Sequence, residues 1–284
     1  MDIDRQKAVL VNGRQQEVVS VCDRGLLYGD GVFETLAVKN GQALEFVWHL
    51  ERLALGCRRL AIPCPAEEVL QREVDQLCTG QTRAILKIIV TRGTGARGYL
   101  APRKPEVTRI LCLSPWSDYP ARFYREGVRV RRCRQRLCDN PALAGIKHLN
   151  RLEQVMARSE WHYPEVAEGL MCDYTDNLIE ATASNIFIVD ANILQTPDLS
   201  KAGVEGVMRR RILQLAQETG IKTQILSIPV QKLQDADEIF LCNSLIGIWP
   251  VRQIGKMRFG IGPITRRLLY AVRSYCAIDI HVPT

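Results

Sequence analysis

Lys147 stands in the segment Gly145-Ile146-Lys147-His148-Leu149-Asn150-Arg151-Leu152-Glu153, a setting that suits a lysine able to react covalently. Pro141 and Gly145 precede it, which predicts a loop or short extended piece. The residues from Arg151 to Trp161 read as a helix with Leu152, Val155, Met156 and Ser159 on one face. A lysine at such a junction has its stem packed and its amine directed at a cavity. To attack an aldehyde the amine must lose its proton, so its pKa has to fall from about 10.4 to roughly 7–8 through desolvation or a nearby cation. Taken alone, the same lysine also reads as a surface residue beside a helix.

A lysine that forms a Schiff base commonly serves pyridoxal phosphate, whose ring takes up electrons. Such a site also needs a carboxylate for the pyridine nitrogen and donors for the phosphate. Glu180 is the carboxylate candidate: it follows the turn signal Asp176-Asn177 and lies among small and apolar residues, where an unpaired carboxylate is costly. An exposed hairpin glutamate reads equally well from this segment alone. Phosphate donors could come from Gly203-Val204-Glu205-Gly206-Val207-Met208, a glycine-containing turn that opens a helix running to about Thr219. Asn243-Ser244-Leu245, after a strand at Glu238–Cys242, and Arg52 are further candidates. Singly, each of these motifs is weak.

Together they resemble the fold-type IV pyridoxal phosphate enzymes, the group that holds branched-chain and D-amino acid aminotransferases. The matching blocks run in order along nearly the whole chain. They begin with Asp23–Thr35 and His49–Leu53, pass through Lys147, Glu180–Phe187 and Gly206–Arg209, and end at Asn243–Val251. Two blocks, Leu143–Val155 with its His148 and Arg151, and Thr91–Tyr99, resemble the family's lyases on 4-amino-4-deoxychorismate rather than its aminotransferases. Glu34 fits either branch. The resemblance implies a two-domain α+β fold with the active site at the domain interface, a pyridoxal 5'-phosphate cofactor and a homodimer. It makes Lys147 the Schiff-base lysine and proton carrier, and Glu180 the partner of the pyridine nitrogen. Arg52, the amides of Val207 and Met208 and the Ser244 hydroxyl would hold the phosphate. Tyr28, Thr35 and Arg97 fall on the substrate side, where Arg92 and Arg97 suit the carboxylates of a small anionic substrate.

Composition narrows the alternatives. With 284 residues, 46% hydrophobic and 24% charged, the chain can build real cores and has a normal soluble balance. The N-terminal residues show no signal-peptide core, and no apolar run reaches membrane-spanning length, so a cytoplasmic location without membrane attachment is expected. Ten cysteines without a CxxC pair, and four scattered histidines, predict reduced core thiols and no metal site. The net charge of +7 is concentrated between Arg122 and Arg136, which hold seven arginines and one glutamate. Val128 and Val130 alternate with Arg129 and Arg131 there, as in a half-buried strand. No recognition motif supports nucleic-acid binding, so a solvated strand face, or steering of an anionic substrate, accounts for this strip.

Asn12-Gly13 and Asn40-Gly41 predict two hairpins. Helices are expected at Val47–Ala61, Ala66–Cys78, Val207–Thr219 and Pro263–Tyr275, and strands at Ala84–Thr91 and Thr108–Leu113. The proline-flanked segment 114–120 reads as a linker between an N-terminal α+β domain, 1–113, and a C-terminal one, 121–284, that carries the lysine.

Overall fold

The computed structural model describes residues 8–278. The described residues up to Ser117, together with Ile146–Asn150, form one compact unit. Its strands are β1 (Ala8–Val11), β2 (Arg14–Gln15), β3 (Gly31–Lys39), β4 (Gln42–Ala43), β5 (Arg83–Thr91) and β6 (Thr108–Pro115). Its helices are α1 (Arg24–Tyr28), α2 (Phe46–Arg59) and α3 (Glu67–Cys78). The strands make one antiparallel sheet in the order β2-β1-β6-β5-β3-β4. Both Asn-Gly pairs turn hairpins: Asn12 and Gly13 have φ of 50° and 79°, and Asn40 and Gly41 have 51° and 78°. Two successive positive φ values are what a two-residue hairpin with a right-handed strand twist requires. α2 buries His49, Leu50, Leu53, Gly56 and Cys57, a stripe at helical spacing. Leu50, Leu53 and Cys57 of that stripe belong to the core formed with Leu36 of β3, Leu86 and Ile88 of β5 and Leu111 of β6.

The second unit comprises Asp118–Gly145 and the described chain from Arg151 onward. Its helices are α4 (Arg122–Arg125), α5 (Leu152–Arg158), α6 (Val207–Glu218) and α7 (Pro263–Ala271). Its strands are β7 (Val128–Leu137), β8 (Val166–Asp173), β9 (Asn177–Ala181), β10 (Asn185–Asp190), β11 (Ile193–Pro197), β12 (Thr223–Leu226), β13 (Ile228–Pro229), β14 (Glu238–Asn243), β15 (Gly247–Ile254) and β16 (Met257–Arg258). They form a mixed sheet in the order β12-β11-β10-β14-β15-β7-β8-β9-β13, with β16 on β15. Stacked Phe187 and Phe240, with ring centroids 5.0 Å apart, sit in its core with Met208 and Ile212 of α6 and Leu268 of α7.

Several details differ from the sequence expectation. β6 runs two residues into the expected linker, because Ser114 and Pro115 still pair with Ile85 and Ala84. Proline is tolerated there since it closes the strand and its missing N–H interrupts no interior ladder. The lysine segment Ile146–Asn150, assigned above to the C-terminal domain, packs with the first unit. The reason is strand pairing: Phe33 N–H donates to Lys147 O and Leu149 N–H to Gly31 O, both at 2.9 Å. Helix α5 is shorter than expected and turns the other way. Leu152, Val155 and Met156 are 75%, 57% and 58% exposed, whereas Gln154 and Ala157 are buried.

The arginine strip is a strand face with local partners. Val128 and Val130 point inward from β7. Arg131 pairs with Glu160 at 3.0 Å, Arg136 with Asp176 at 2.6 Å, Arg132 with Asp176, and Arg129 donates to Gln253. Among the described residues no helix is long and apolar enough to cross a membrane, and no group of three or more His, Cys, Asp or Glu is placed to hold a metal ion.

Candidate active site

In the second unit the structure joins two of the expected elements. Asp176, at φ 64°, turns the β8–β9 hairpin, and Asp173 Oδ1 accepts the amides of Thr175 and Asn177 at 2.9 and 2.8 Å. This register places Glu180 opposite Met171 and leaves it only 5% exposed. A buried carboxylate needs donors, and Glu180 has them: Val204 N–H at 2.8 Å on Oε2 and Gln154 Nε2 at 3.3 Å on Oε1. Val204 belongs to the loop that leads into α6. That loop also pairs with Gly145, since Gly145 N–H donates to Gly203 O at 2.9 Å and Glu205 N–H to Gly145 O at 3.0 Å.

Helix α6 starts at Gly206 without a side-chain cap. The first amides of a helix have no intrahelical acceptor, so Val207 and Met208 present N–H groups at its positive end. Space around this start is tight. A Cβ on Gly206 would sit 2.0 Å from Asn185 Oδ1, and Asn185 Nδ2 donates to Val204 O at 2.9 Å. Gly206→Ala is thus expected to displace Asn185 and cost roughly 1–3 kcal/mol, read as a lower urea midpoint. An unchanged midpoint would show that the turn yields without strain. Ser244 lies in a loop ordered by Asn243, whose Oδ1 accepts the amides of Leu245 and Ile246, both at 2.9 Å. Asn243 Nδ2 donates to Ala183 O at 3.0 Å and Ser184 Oγ at 3.1 Å.

In the first unit, Lys147 is half-buried and its Nζ lies 4.5 Å from the centroid of the Phe33 ring. Lys87 Nζ is 5.7 Å from the same ring. Thr35 is two residues along β3 and shares Phe33's side of the strand. The opposite side carries Glu34, which is wholly buried. Arg52 grips it in two places, Nε to Oε1 at 2.8 Å and Nη2 to Oε2 at 2.5 Å, and His49 Nδ1 lies 2.6 Å from Oε2. An ionised carboxylate only accepts, so Nδ1 carries the proton in this contact. Burial alone would raise the Glu34 pKa, but the Arg52 guanidinium and the His49 contact bring it down to about 2. Burial holds the His49 pKa below its usual value despite Glu34. Arg52 thus has one edge committed to a carboxylate of its own unit.

Tyr28 and the loop that bears Arg97 come together. Gly98 N–H donates to the Tyr28 hydroxyl at 3.3 Å, and Tyr99 packs edge-on against the Tyr28 ring at 5.4 Å. Arg24 holds the loop from beneath, donating to Gly98 O and Tyr99 O at 3.0 Å and to Asp30 at 2.9 Å. Arg97 itself is exposed. Arg92, expected on the substrate side, is instead structural. Its guanidinium is spent on Asp30 (2.7 Å) and on the carbonyls of Ala61 (2.7 Å) and Leu60 (2.6 Å).

The apolar stripe of α5 does not point to Gln154, which lies on the opposite, buried face. His49 and Glu34 are 15 apart and meet only through the packing of α2 on β3.

The amino-transferase class IV family matches residues 31–254. This chain belongs to the class IV aminotransferase family. Among class IV relatives, the aminodeoxychorismate lyase of Vibrio harveyi is 37% identical over 91% of this chain and 97% of its own length. The D-alanine aminotransferase of Bacillus licheniformis is 27% identical over 94% of this chain and 96% of its own. The crystal structure of 4-amino-4-deoxychorismate lyase from Pseudomonas aeruginosa superposes with a TM-score of 0.91 at 46% identity, covering 94% of this chain and 98% of that one. The fold expected from the sequence blocks, a class IV α+β architecture, is the one observed.

Proposed function

We propose that this chain is a pyridoxal phosphate-dependent lyase that converts 4-amino-4-deoxychorismate into 4-aminobenzoate and pyruvate, a step of folate synthesis. The observation that carries the reading is the link between a buried carboxylate, Glu180, and the uncapped start of α6 through Val204. That donor set fits the cofactor: a carboxylate for a protonated ring nitrogen, and free helix amides for a phosphate. The likeness to two lyases of the same name supports the lyase over an aminotransferase.

In this reading the amides of Val207 and Met208 and the Ser244 hydroxyl bind the phosphate, and Arg52 adds a cation. Glu180 accepts the N–H of the pyridine ring and keeps that nitrogen protonated. Lys147 Nζ would hold the aldehyde carbon of the cofactor, and as a neutral amine it would take the proton from the substrate carbon that bears nitrogen. When bound, pyridoxal phosphate supplies the electron sink for the charge left on that carbon. Departure of the neighbouring enolpyruvyl group leaves an aromatic ring, which drives the reaction forward. Tyr28, Thr35 and Arg97 serve the substrate side, with Arg97 available to a carboxylate.

The active form is a homodimer in this proposal, and the exposed apolar side chains of Leu152, Val155 and Met156 on α5 support it. Ten free cysteines suit the reducing cytoplasm. The test is product analysis with freshly prepared aminodeoxychorismate and no added keto acid. Equal amounts of pyruvate and 4-aminobenzoate are expected. Conversion of the bound cofactor to its pyridoxamine form by an amino donor, without either product, would overturn the lyase in favour of an aminotransferase.

A further inference from the structure

We propose that Glu168 is a positioning residue that fixes how far the Glu180 carboxylate stands from the phosphate donors. The inference rests on the cofactor reading given above and adds a residue which that reading does not use. Glu168 lies on β8 and is buried. Its carboxylate meets four neutral donors. Oε1 accepts the Gly169 amide at 3.0 Å and the Thr182 hydroxyl. Oε2 accepts the Ala183 amide at 3.0 Å and the Ser184 hydroxyl at 3.3 Å. Three of the four come from residues 182–184, the short turn that joins β9 to β10. Burial pushes the Glu168 pKa up, and these hydrogen bonds oppose it. Core packing alone does not call for a carboxylate here, since Leu170, Met171 and Cys172 farther along β8 are buried and apolar.

The turn matters because of what its neighbours hold. Glu180 precedes it by two residues, and Ala181 N–H donates to Ser184 O at 2.7 Å across it. Asn185, directly after it, donates through Nδ2 to Val204 O at 2.9 Å, in the loop that leads into α6. On its side, Asn243 Nδ2 donates to Ser184 Oγ at 3.1 Å and to Ala183 O at 3.0 Å. The same Asn243 orders the Ser244 loop through its Oδ1. Two routes to the phosphate donors, through Val204 to α6 and through Asn243 to Ser244, thus leave from residues 180–185. Glu168 holds the middle of that stretch. A pyridine ring with its phosphate on a short arm has a fixed span, so carboxylate and phosphate donors must keep a matching separation.

The experiment measures the Kd of pyridoxal phosphate, and of pyridoxal without the phosphate, for the whole chain freed of cofactor. Glu168→Gln puts an NH2 group, which cannot accept, where an oxygen accepted. It is expected to weaken pyridoxal phosphate about tenfold and pyridoxal by less than about twofold. Ser184→Ala removes the one hydroxyl between Glu168 and Asn243 and is expected to weaken pyridoxal phosphate about fivefold. The double variant should lose no more than about twofold beyond Glu168→Gln, because both changes cut one network. If Glu168→Gln does not fold, Ser184→Ala decides alone. A purely structural role lowers both affinities together. Equal losses for the two ligands, an unchanged pyridoxal phosphate affinity in either single variant, or losses that multiply in the double variant would overturn the proposal. Failure of the unaltered chain to bind pyridoxal phosphate would instead sink the cofactor reading itself, and the role of Glu168 with it.

Discussion

Replacing Lys147 by alanine is expected to lower turnover by about a thousandfold or more and to leave the fold intact. The segment around the lysine is held by its backbone, through Phe33 N–H to Lys147 O and Leu149 N–H to Gly31 O, and by the fully buried Ile146. None of these contacts uses the lysine amine. The side chain approaches the Phe33 ring, a contact worth about 0.5–1 kcal/mol. The thermal midpoint should accordingly fall by only a few degrees. Lys147→Arg separates charge from chemistry: it keeps a cation over Phe33, but a guanidinium does not release its proton at any working pH. Single-turnover assays of both variants with loaded cofactor are the measurement. Retention of more than about a tenth of the activity by Lys147→Arg would mean that the amine moves no proton.

The largest expected effect on stability belongs to Glu34→Ala. It leaves the Arg52 guanidinium, only 10% exposed, without its carboxylate. Removing one partner of a buried ion pair costs roughly 3–5 kcal/mol, or a drop of about 10 °C in thermal midpoint. The pH dependence follows from the two shifts. The folded Glu34 pKa of about 2 lies below its ordinary 4.5, so the unfolded chain binds the proton first as pH falls. Its stabilisation is complete above pH 4.5 and is lost between there and about 2. His49, lowered from 6.5 by burial, acts in the same sense at higher pH, because the unfolded imidazole is protonated first. Stability should begin to decline as pH drops below 6.5 and fall more steeply below 4.5. In Glu34→Gln the fall below pH 4.5 should be shallower, the remainder coming from Asp30, Glu160 and Asp173, whose carboxyls are also held below their ordinary values. Chemical denaturation from pH 7 to pH 3 tests this, and parallel curves for the two proteins would show that Glu34 carries none of the acid sensitivity.

What the sequence determined by itself was mostly local. Asn12-Gly13 and Asn40-Gly41 could hardly do anything but turn, because few residues accept successive positive φ values. Gly220 ends α6 with φ of 71° for the same steric reason. Lys147, Glu180 and the Gly206 turn were visible as residue types whose chemistry complements one another, and their order along the chain pointed to the class IV family. The tertiary structure decided the rest. Which face of α5 turns inward was not legible, since an apolar stripe at helical spacing specifies burial against something without naming what. Gln154 reached Glu180 on the side that pattern left out. Arg92 looked as suited to a substrate as Arg97 did, until the β3–β5 register set it beside Asp30, 62 residues away, and closed its fork. Turn geometry depends on neighbouring residues and survives in the sequence; charge pairing depends on strand register and helix packing, which exist only once the chain has folded.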